Sequence, residues 1–228
     1  METRDCANST IFRPAAPSAT RSAAAALGTG DSDLFDGAAM DLEKVARGVK
    51  LILEGIGEDP YREGLLDTPS RVARMYRELL YGTGVDPASE ITCRFSENVD
   101  DLVVVRAIPF ASVCEHHLVP FIGQAHIAYI PADGRITGLS KLARVVELAA
   151  RRLQVQERMT NQVADALETQ LRPMAVAVVL EAEHFCMSIR GVRKPGSLTL
   201  TTAVRGLFKT DRAARAEVMS FLSREQGK

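Results

Sequence analysis

The chain has 228 residues, of which 46% are apolar and 25% charged, values typical of a folded globular protein of one or two domains. Its formal net charge is −1, which argues against a protein that coats nucleic acid and therefore carries a basic excess. We find no apolar run long enough to span a bilayer and no signal peptide, so we expect no membrane partner and a cytoplasmic location. Four widely spaced cysteines are too few for a disulfide scaffold and fit a reducing compartment.

The first 40 residues differ from the rest, because Ala, Ser, Thr and Gly fill more than half of them. Such a segment buries too little surface to offset the entropy of ordering, so we predict a disordered tail over 1–40. Three arginines among serines and threonines leave an organelle transit peptide as the alternative, although the acidic Glu2 and Asp5 count against it. After the tail we expect a helical region over 41–84 and a larger folded domain over 85–228.

Hydrophobic periodicity predicts the elements that follow the tail. A first helix begins near Asp41 and is stopped by Gly55 and Gly57, and a second begins with Thr68 as N-cap and Pro69 at its first position. We predict further helices over about 140–153, over about 158–171 and after Asp211, and strands over 102–108, 123–130, 174–182 and 197–205. Three of the predicted helices carry an apolar stripe that we expect to be buried: Leu42, Val45, Ala46, Val49, Ile52, Leu53 and Ile56 in the first helix, Leu142, Val145, Val146, Ala149 and Leu153 in the helix near 140–153, and Met159, Val163, Leu167 and Leu171 in the helix near 158–171.

This order of elements predicts an α+β fold with a mainly antiparallel sheet and helices on one face, because strands do not alternate singly with helices. A sheet of this kind leaves an edge and a second face that need cover. We therefore expect the chain to form an oligomer.

Two short windows concentrate residues that bind metals. Five of the eight cysteines and histidines fall in Cys114-Glu115-His116-His117 and in His184-Phe185-Cys186. Thiolate and imidazole are the ligands that zinc prefers. Cys114 and His117 could bind one ion from a tight turn or a helix, and Cys186 could join them from a later strand.

Two cysteines and one histidine make three protein ligands, and three ligands with an open position are typical of catalytic zinc. A closing fourth ligand could come from Cys6, Cys93, His126 or His184, although we expect His126 to be an ordinary strand histidine. The alternative is that the cysteines are small buried apolar residues and the histidines are hydrogen-bonded core residues. Two adjacent histidines weigh against that alternative, since burying two imidazoles without a function is costly.

Cations in the later half suggest an anionic ligand. Ser140, Lys141 and Arg144 open a predicted helix, where free N–H groups and the helix dipole favour phosphate, although a solvated helix face is the alternative. Arg190 lies four residues after Cys186, on the same face if the strand continues, and fixed cations suit a triphosphate. Glu157 could accept two N–H bonds from a guanine edge, or could simply cap a helix.

Five segments resemble the GTP cyclohydrolase I family over about residues 41–222. They are GEDPYREGLLDTPSRVARMY (57–76), CEHHLVPFIG (114–123), GLSKLARVVE (138–147), RLQVQERMT (152–160) and EHFCMSIRG (183–191).

The resemblance implies a tunnelling fold, in which antiparallel sheets from several subunits close into a barrel with helices outside. It also implies a homodecamer of two pentamers with active sites at subunit interfaces. The implied reaction converts GTP and water to 7,8-dihydroneopterin triphosphate and formate, as the first step toward tetrahydrofolate or tetrahydrobiopterin.

The resemblance also implies a role for each matching residue. Cys114, His117 and Cys186 would bind Zn²⁺. His116 would protonate the ring nitrogen as the imidazole ring opens. His184 would act as general acid–base at the ribose, and Ser140 would contact the ribose. The expected substrate-binding residues are Gln156 and Glu157 for the guanine and Lys141, Arg144, Arg190 and, from a neighbouring subunit, Arg71 for the triphosphate.

Two alternatives stay open. One is a different tunnelling-fold enzyme acting on pterins or deazapurines, against which the C-E-H-H spacing with a later H-F-C argues. The other is a non-catalytic oligomer stabilised by zinc, which would not need His116, His184 or Glu157. A zinc nucleobase deaminase would require a C-x-x-C motif, which the sequence lacks.

Overall fold

The computed structural model describes residues 40–222, so the tail predicted over 1–40 lies outside the described residues apart from Met40. The elements in chain order are α1 (Leu42–Gly55), α2 (Thr68–Leu79), a 3-10 helix (Pro87–Glu90), β1 (Phe95–Ser96), β2 (Val103–Cys114), β3 (Pro120–Ile130), β4 (Arg135–Ile136), α3 (Leu139–Ala150), β5 (Leu153–Gln154), α4 (Gln156–Leu171), β6 (Ala175–His184), α5 (Phe185–Ser188), β7 (Leu198–Gly206), α6 (Leu207–Thr210) and α7 (Arg212–Leu222).

The main sheet has five strands in the order β5-β2-β3-β6-β7. All its pairs are antiparallel except the short β5, which runs parallel to the end of β2. The predicted α+β fold with a mainly antiparallel sheet is therefore confirmed. The prediction ended the first strand at residue 108, whereas β2 continues through a bulge between Val105 and Ile108 as far as Cys114.

The main core lies between this sheet and helices α3 and α4. Alternate residues of β3 and β6, such as Ile127 and Val178, point to this face because side chains alternate along a strand. The predicted stripes of both helices pack against them, and their members are fully buried: Leu142, Val145, Val146 and Ala149 from α3, and Met159, Val163, Leu167 and Leu171 from α4. Leu153 was predicted to extend the α3 stripe but lies beyond the helix and is partly exposed.

The opposite face of the sheet is only partly covered. Val218 and Leu222 of α7 pack on the alanines and valines of β6. As predicted, α7 begins after Asp211, whose carboxylate accepts hydrogen bonds from the N–H groups of Ala213 and Ala214. Apolar side chains on the rest of this face stay exposed, among them Ile122, Leu198 and Leu200. Among residues 40–222, β7 has a neighbour on one side only, so these residues leave one sheet edge and an apolar surface without cover.

The N-terminal helices α1 and α2 pack mainly on each other. Only Leu53 of the predicted α1 stripe is buried, while Ile52 and Ile56 are more than 60% exposed. The N-cap of α2 is Asp67, one residue before the predicted Thr68, and the Asp67 carboxylate bonds the guanidinium of Arg71 rather than a helix N–H. The exposed face of α1 is further apolar surface left uncovered within one chain.

None of the helices within residues 40–222 combines the length and the apolar character needed to cross a membrane.

Candidate active site

A tight turn at the end of β2 carries the first part of the site. The N–H of Leu118 donates to the carbonyl of Cys114 at 2.9 Å, and Leu118 takes a left-handed conformation with φ 57°. This turn brings His117 back toward the strand end, so that its Nδ1 lies 3.9 Å from the sulfur of Cys114. The expectation of a tight turn between these two residues is confirmed.

Cys186 reaches the same place from a helical turn, not from a strand. β6 ends at His184, and Phe185–Ser188 forms the helical α5, so the prediction that Cys186 comes from a strand is wrong. The ligand atoms of Cys114, His117 and Cys186 nevertheless lie within 4.8 Å of one another. Cys114 is buried, Cys186 is half-buried and His117 is exposed. The three residues therefore form a group that could hold a metal ion at the rim of the sheet.

The electrostatics of this group suit a cation. Burial, and then the neighbouring Cys114 sulfur, raise the pKa of the Cys186 thiol. Two thiolates this close repel each other unless a positive charge lies between them. Arg190 lies nearby, with Nη1 3.0 Å from His117 Nε2 and 3.5 Å from the carbonyl of Cys186. Its four-residue spacing from Cys186 brings it there through the helical turn instead of the predicted strand.

His184 ends β6, two residues before Cys186. Its ring stacks on Phe121, with centroids 4.6 Å apart and planes within 1°. Its Nε2 lies 2.8 Å from Oε1 of Gln156. Burial lowers the pKa of His184, and the carboxylate of Glu157 partly offsets this by raising it.

His116 and its neighbours occupy the exposed side of the turn. The Glu115 carboxylate binds the guanidinium of Arg158, which holds the pKa of that carboxyl below its usual range. Its other oxygen lies 3.9 Å from Nε2 of His116. The main chain of Glu115 is also anchored, because its N–H donates to the carbonyl of Gln154 in β5. The turn that carries His116 and His117 is therefore fixed on both sides.

The two residues expected to recognise guanine lie in different environments. Glu157 is exposed in the first turn of α4. Gln156 is only 1% exposed, and its Nε2 donates to the carbonyls of Leu180 and Thr199 and to the hydroxyl of Thr201.

The expected phosphate ligands of α3 lie toward its first turns. Ser140, Lys141 and Arg144 are in the first half of α3, whereas Ala150 at its end accepts a bond from Ser112, two residues before Cys114. The ten residues from Ser140 to Ala150 span about 15 Å of helix. Arg71 is exposed in α2 and bonds Asp67. Ser140 and Lys141 therefore lie at the end of α3 opposite to the one that contacts β2 near Cys114.

The comparisons with known proteins decide the family. The family model described as GTP cyclohydrolase I matches residues 45–223. GTP cyclohydrolase 1 of Streptococcus pyogenes serotype M49 is 57% identical over 183 residues, which cover 80% of this chain and 94% of that protein. GTP cyclohydrolase 1 of Desulforamulus reducens is 58% identical over 182 residues, covering 80% of this chain and 97% of that protein.

The chain belongs to the GTP cyclohydrolase I family. It is accordingly an enzyme, and its curled antiparallel sheet with α3 and α4 on one face is the tunnelling fold. The resemblance found in the five sequence segments is confirmed, as is the expected fold class.

The candidates for a fourth metal ligand in this member of the GTP cyclohydrolase I family can be compared with the structure. Of the candidates for a closing fourth ligand, His126 lies on β3, where its Nδ1 accepts the N–H of Ala107, so it serves the strand as expected. Cys6 lies outside the described residues. His184 faces Gln156 instead of the thiols. Within residues 40–222, the group that could hold a metal comprises three residues.

Phe121 and Arg158 were not predicted as neighbours of the site. Phe121 is the cross-strand partner of His184, and Arg158 lies 43 residues from the Glu115 that it holds. The register of β3 and β6 places Phe121 opposite His184, so this contact follows from the strand pairing. The sequence contains no signal for the contact between Arg158 and Glu115.

Proposed function

We propose that the chain converts GTP and water to 7,8-dihydroneopterin triphosphate and formate. The observation that carries this proposal is the convergence of Cys114, His117 and Cys186 beside His184 in a member of the GTP cyclohydrolase I family. The product would enter the synthesis of tetrahydrofolate or tetrahydrobiopterin. We place the enzyme in the cytoplasm, where the thiols of the site stay reduced.

Zn²⁺ fits the donor set. Two thiolates and one imidazole are soft to borderline ligands, and their atoms are close enough together to share one ion. The raised pKa of the Cys186 thiol means that the charged form needs a cation nearby. Held by these three residues, zinc would supply a water acidic enough to act as a nucleophile at neutral pH.

The residues around the proposed zinc site have separate roles in binding the base and in transferring protons. The exposed carboxylate of Glu157 accepts the N–H groups of the guanine edge, which turns the imidazole part of the base toward the thiols. His116, exposed beside Glu115, gives a proton to the ring nitrogen released when the ring opens. His184, held between Phe121 and Gln156, moves protons at the ribose while the sugar rearranges and closes the new ring.

The triphosphate requires cations from more than one chain. Arg190 lies beside His117 in the same chain, whereas Lys141 and Arg144 lie nine and six residues before Ala150, about 14 and 9 Å of helix from the end of α3 that contacts β2. We propose that Ser140, Lys141 and Arg144 of one subunit, and Arg71 of another, complete the site of a neighbour. The free edge of β7, the exposed Leu198 and Leu200, and the exposed face of α1 supply surfaces for such an assembly. The assembly that we propose is a homodecamer of two pentamers.

A turnover assay tests the proposal. Zinc-loaded protein is incubated with GTP, and both formate release and the fluorescence of the oxidised pterin are followed. We expect both signals in equal amounts. Formate without pterin would mean that ring opening proceeds while the ribose steps fail. Neither signal from zinc-loaded oligomer would overturn the proposed reaction, and would favour a different pterin or deazapurine substrate, or a non-catalytic protein.

A further inference from the structure

The side chain of Gln156 is fully engaged within the protein. It is 1% exposed, and its Nε2 lies 3.0 Å from the carbonyl of Leu180, 2.9 Å from that of Thr199 and 3.1 Å from the hydroxyl of Thr201. Carbonyl oxygens only accept hydrogen bonds, so the atom that faces two of them must be the NH₂ group. The orientation of the amide is therefore fixed by its partners.

This orientation decides the hydrogen bond to His184. With the NH₂ group committed to the carbonyls, the oxygen of Gln156 faces Nε2 of His184 at 2.8 Å. An amide oxygen can only accept, so Nε2 must carry the hydrogen. The direction in which Nε2 of His184 points is thus set by a buried residue.

Two contacts together fix the ring. Parallel stacking on Phe121, which is completely buried, sets the plane of the His184 ring. The Gln156 bond sets the rotation within that plane, and the β6 and β7 backbones hold Gln156 in turn through Leu180 and Thr199. Neither contact requires a ligand, so the ring is oriented before substrate arrives.

We propose that Gln156 is a positioning residue that acts through His184, and that its side chain does not read the guanine. This inference rests on the proposed role of His184 in the reaction. A contact between the Gln156 amide and the base would require the amide to give up its bonds to Leu180, Thr199 and Thr201, which are made inside the protein.

The first experiment is the variant Gln156→Met, which keeps the length of the side chain but cannot accept a bond from Nε2. We expect kcat for pterin formation to fall about 10- to 100-fold, since misplacing a catalytic group by an ångström has an effect of that size. The KM and the Kd for GTP should stay within about twofold of wild type, because the contacts to the base are unchanged. A Kd raised tenfold or more would overturn the proposal.

A double-mutant cycle with His184→Ala separates the two roles further. If Gln156 acts only through His184, adding Gln156→Met to His184→Ala leaves the residual rate of pterin formation unchanged. A further loss of pterin formation, or weaker GTP binding, when Gln156→Met is added to His184→Ala would contradict the proposed role of Gln156. Gln154→Met is the matched control, because Gln154 is equally buried two residues earlier but bonds Ala149, Gln162 and Arg158. Its effect should be the same with and without His184.

A structure of wild-type holoenzyme with a guanine nucleotide tests the inference without any variant. The Gln156 amide should keep its bonds to Leu180, Thr199 and His184, and an amide turned to the base would overturn the proposal. Turnover of the wild-type protein, measured in parallel, separates failure of the proposed function from failure of the proposed role of Gln156. Absence of formate from wild type contradicts the proposed function, whereas the position of the amide and the Kd of the variant decide the role of Gln156.

Discussion

Cys186 approaches Cys114 from a helical turn, and burial together with this sulfur raises the pKa of its thiol. We expect Cys186→Ser to lose zinc and formate release together, because a serine hydroxyl stays protonated at neutral pH and is a poor zinc ligand. Metal content measured by elemental analysis should fall well below one ion per chain, while the circular dichroism spectrum stays that of folded protein. Full metal content with full activity would contradict the proposed ligand set.

His126 predicts a pH dependence of stability away from the site. Burial, and then the nearby guanidinium of Arg106 on β2, lower its pKa, while Glu181 on β6 raises it in part. The unfolded chain therefore binds a proton more readily than the folded chain below about pH 6.5. Stability from this residue is complete above that pH and is lost as the pH falls toward the lower pKa of the folded state.

The variant His126→Asn should remove this dependence, because an amide oxygen can still accept the N–H of Ala107 but does not titrate. Between pH 7 and pH 5, at equal protein concentration, the melting temperature of wild type should fall further than that of the variant. Acid also releases zinc, but it does so from both proteins, so the difference between them reports on His126. Equal slopes would contradict this assignment.

The residues that form the candidate site could be predicted from their types, whereas the contacts that bury and orient some of them could not. Cys114, His117 and Cys186 could be grouped from the sequence because cysteine and histidine are rare here and zinc prefers both. The burial of Gln156 could not be foreseen, since its partners Leu180 and Thr199 come from strands whose register the sequence does not state. The same holds for Phe121 against His184.

At the scale of elements, β3 and β6 approach each other closely at Gly123. A Cβ added there would lie 2.0 Å from the carbonyl oxygen of Glu181 and 2.6 Å from the Cα of Ala182, both of them backbone atoms that cannot move without shifting the strand. We expect Gly123→Ala to lower the free energy of unfolding by at least about 2 kcal/mol, measured by urea denaturation.

Gly48→Ala is the matched control, since a Cβ on Gly48 in α1 meets nothing within 4 Å. In a helix interior this change stabilises by about 0.5–1 kcal/mol, because alanine has less backbone entropy to lose than glycine. Wild-type stability in Gly123→Ala would mean that the two strands are not held as closely as described.

Long, strongly periodic elements were predictable, and short or irregular ones were not. The stripes of α3 and α4 were evident because the buried positions repeat at helical spacing over three or more turns. β2 was cut short in the prediction. It carries Pro109, which the strand tolerates because β5 pairs only with its last two residues and no ladder bond is lost on that side. α5 is a single turn and leaves no periodic signal.

At the scale of the whole molecule, one edge of the sheet and several apolar surfaces have no cover from residues 40–222. Within that range β7 has one neighbour, and Leu198 and Leu200 on it are more than half exposed. Alternation and the order of elements predicted such an edge, but the closure of several sheets into a ring depends on the curvature of the sheet and on symmetry, which no local pattern encodes.

The distance between the thiols and the start of α3 leads to a test of shared sites. Cys186→Ser and Lys141→Ala should each be inactive alone, because the first lacks a zinc ligand and the second a phosphate ligand. If the two residues of one site come from different subunits, coexpression of the two variants in equal amounts creates some sites in which both are intact. Random mixing gives about a quarter of all sites in that state, so about a quarter of wild-type activity should return.

The control for this complementation is Cys186→Ser coexpressed with His117→Ala. Both residues belong to the group within one chain, with ligand atoms less than 4.8 Å apart, so mixing these subunits cannot assemble an intact site and activity should stay absent. Different affinity tags on the two variants, purified in sequence, establish that mixed oligomers have formed. Mixed oligomers of Cys186→Ser and Lys141→Ala without activity would mean that no neighbour supplies Lys141. The 15 Å span of α3 would then have to be bridged within one chain by the substrate itself.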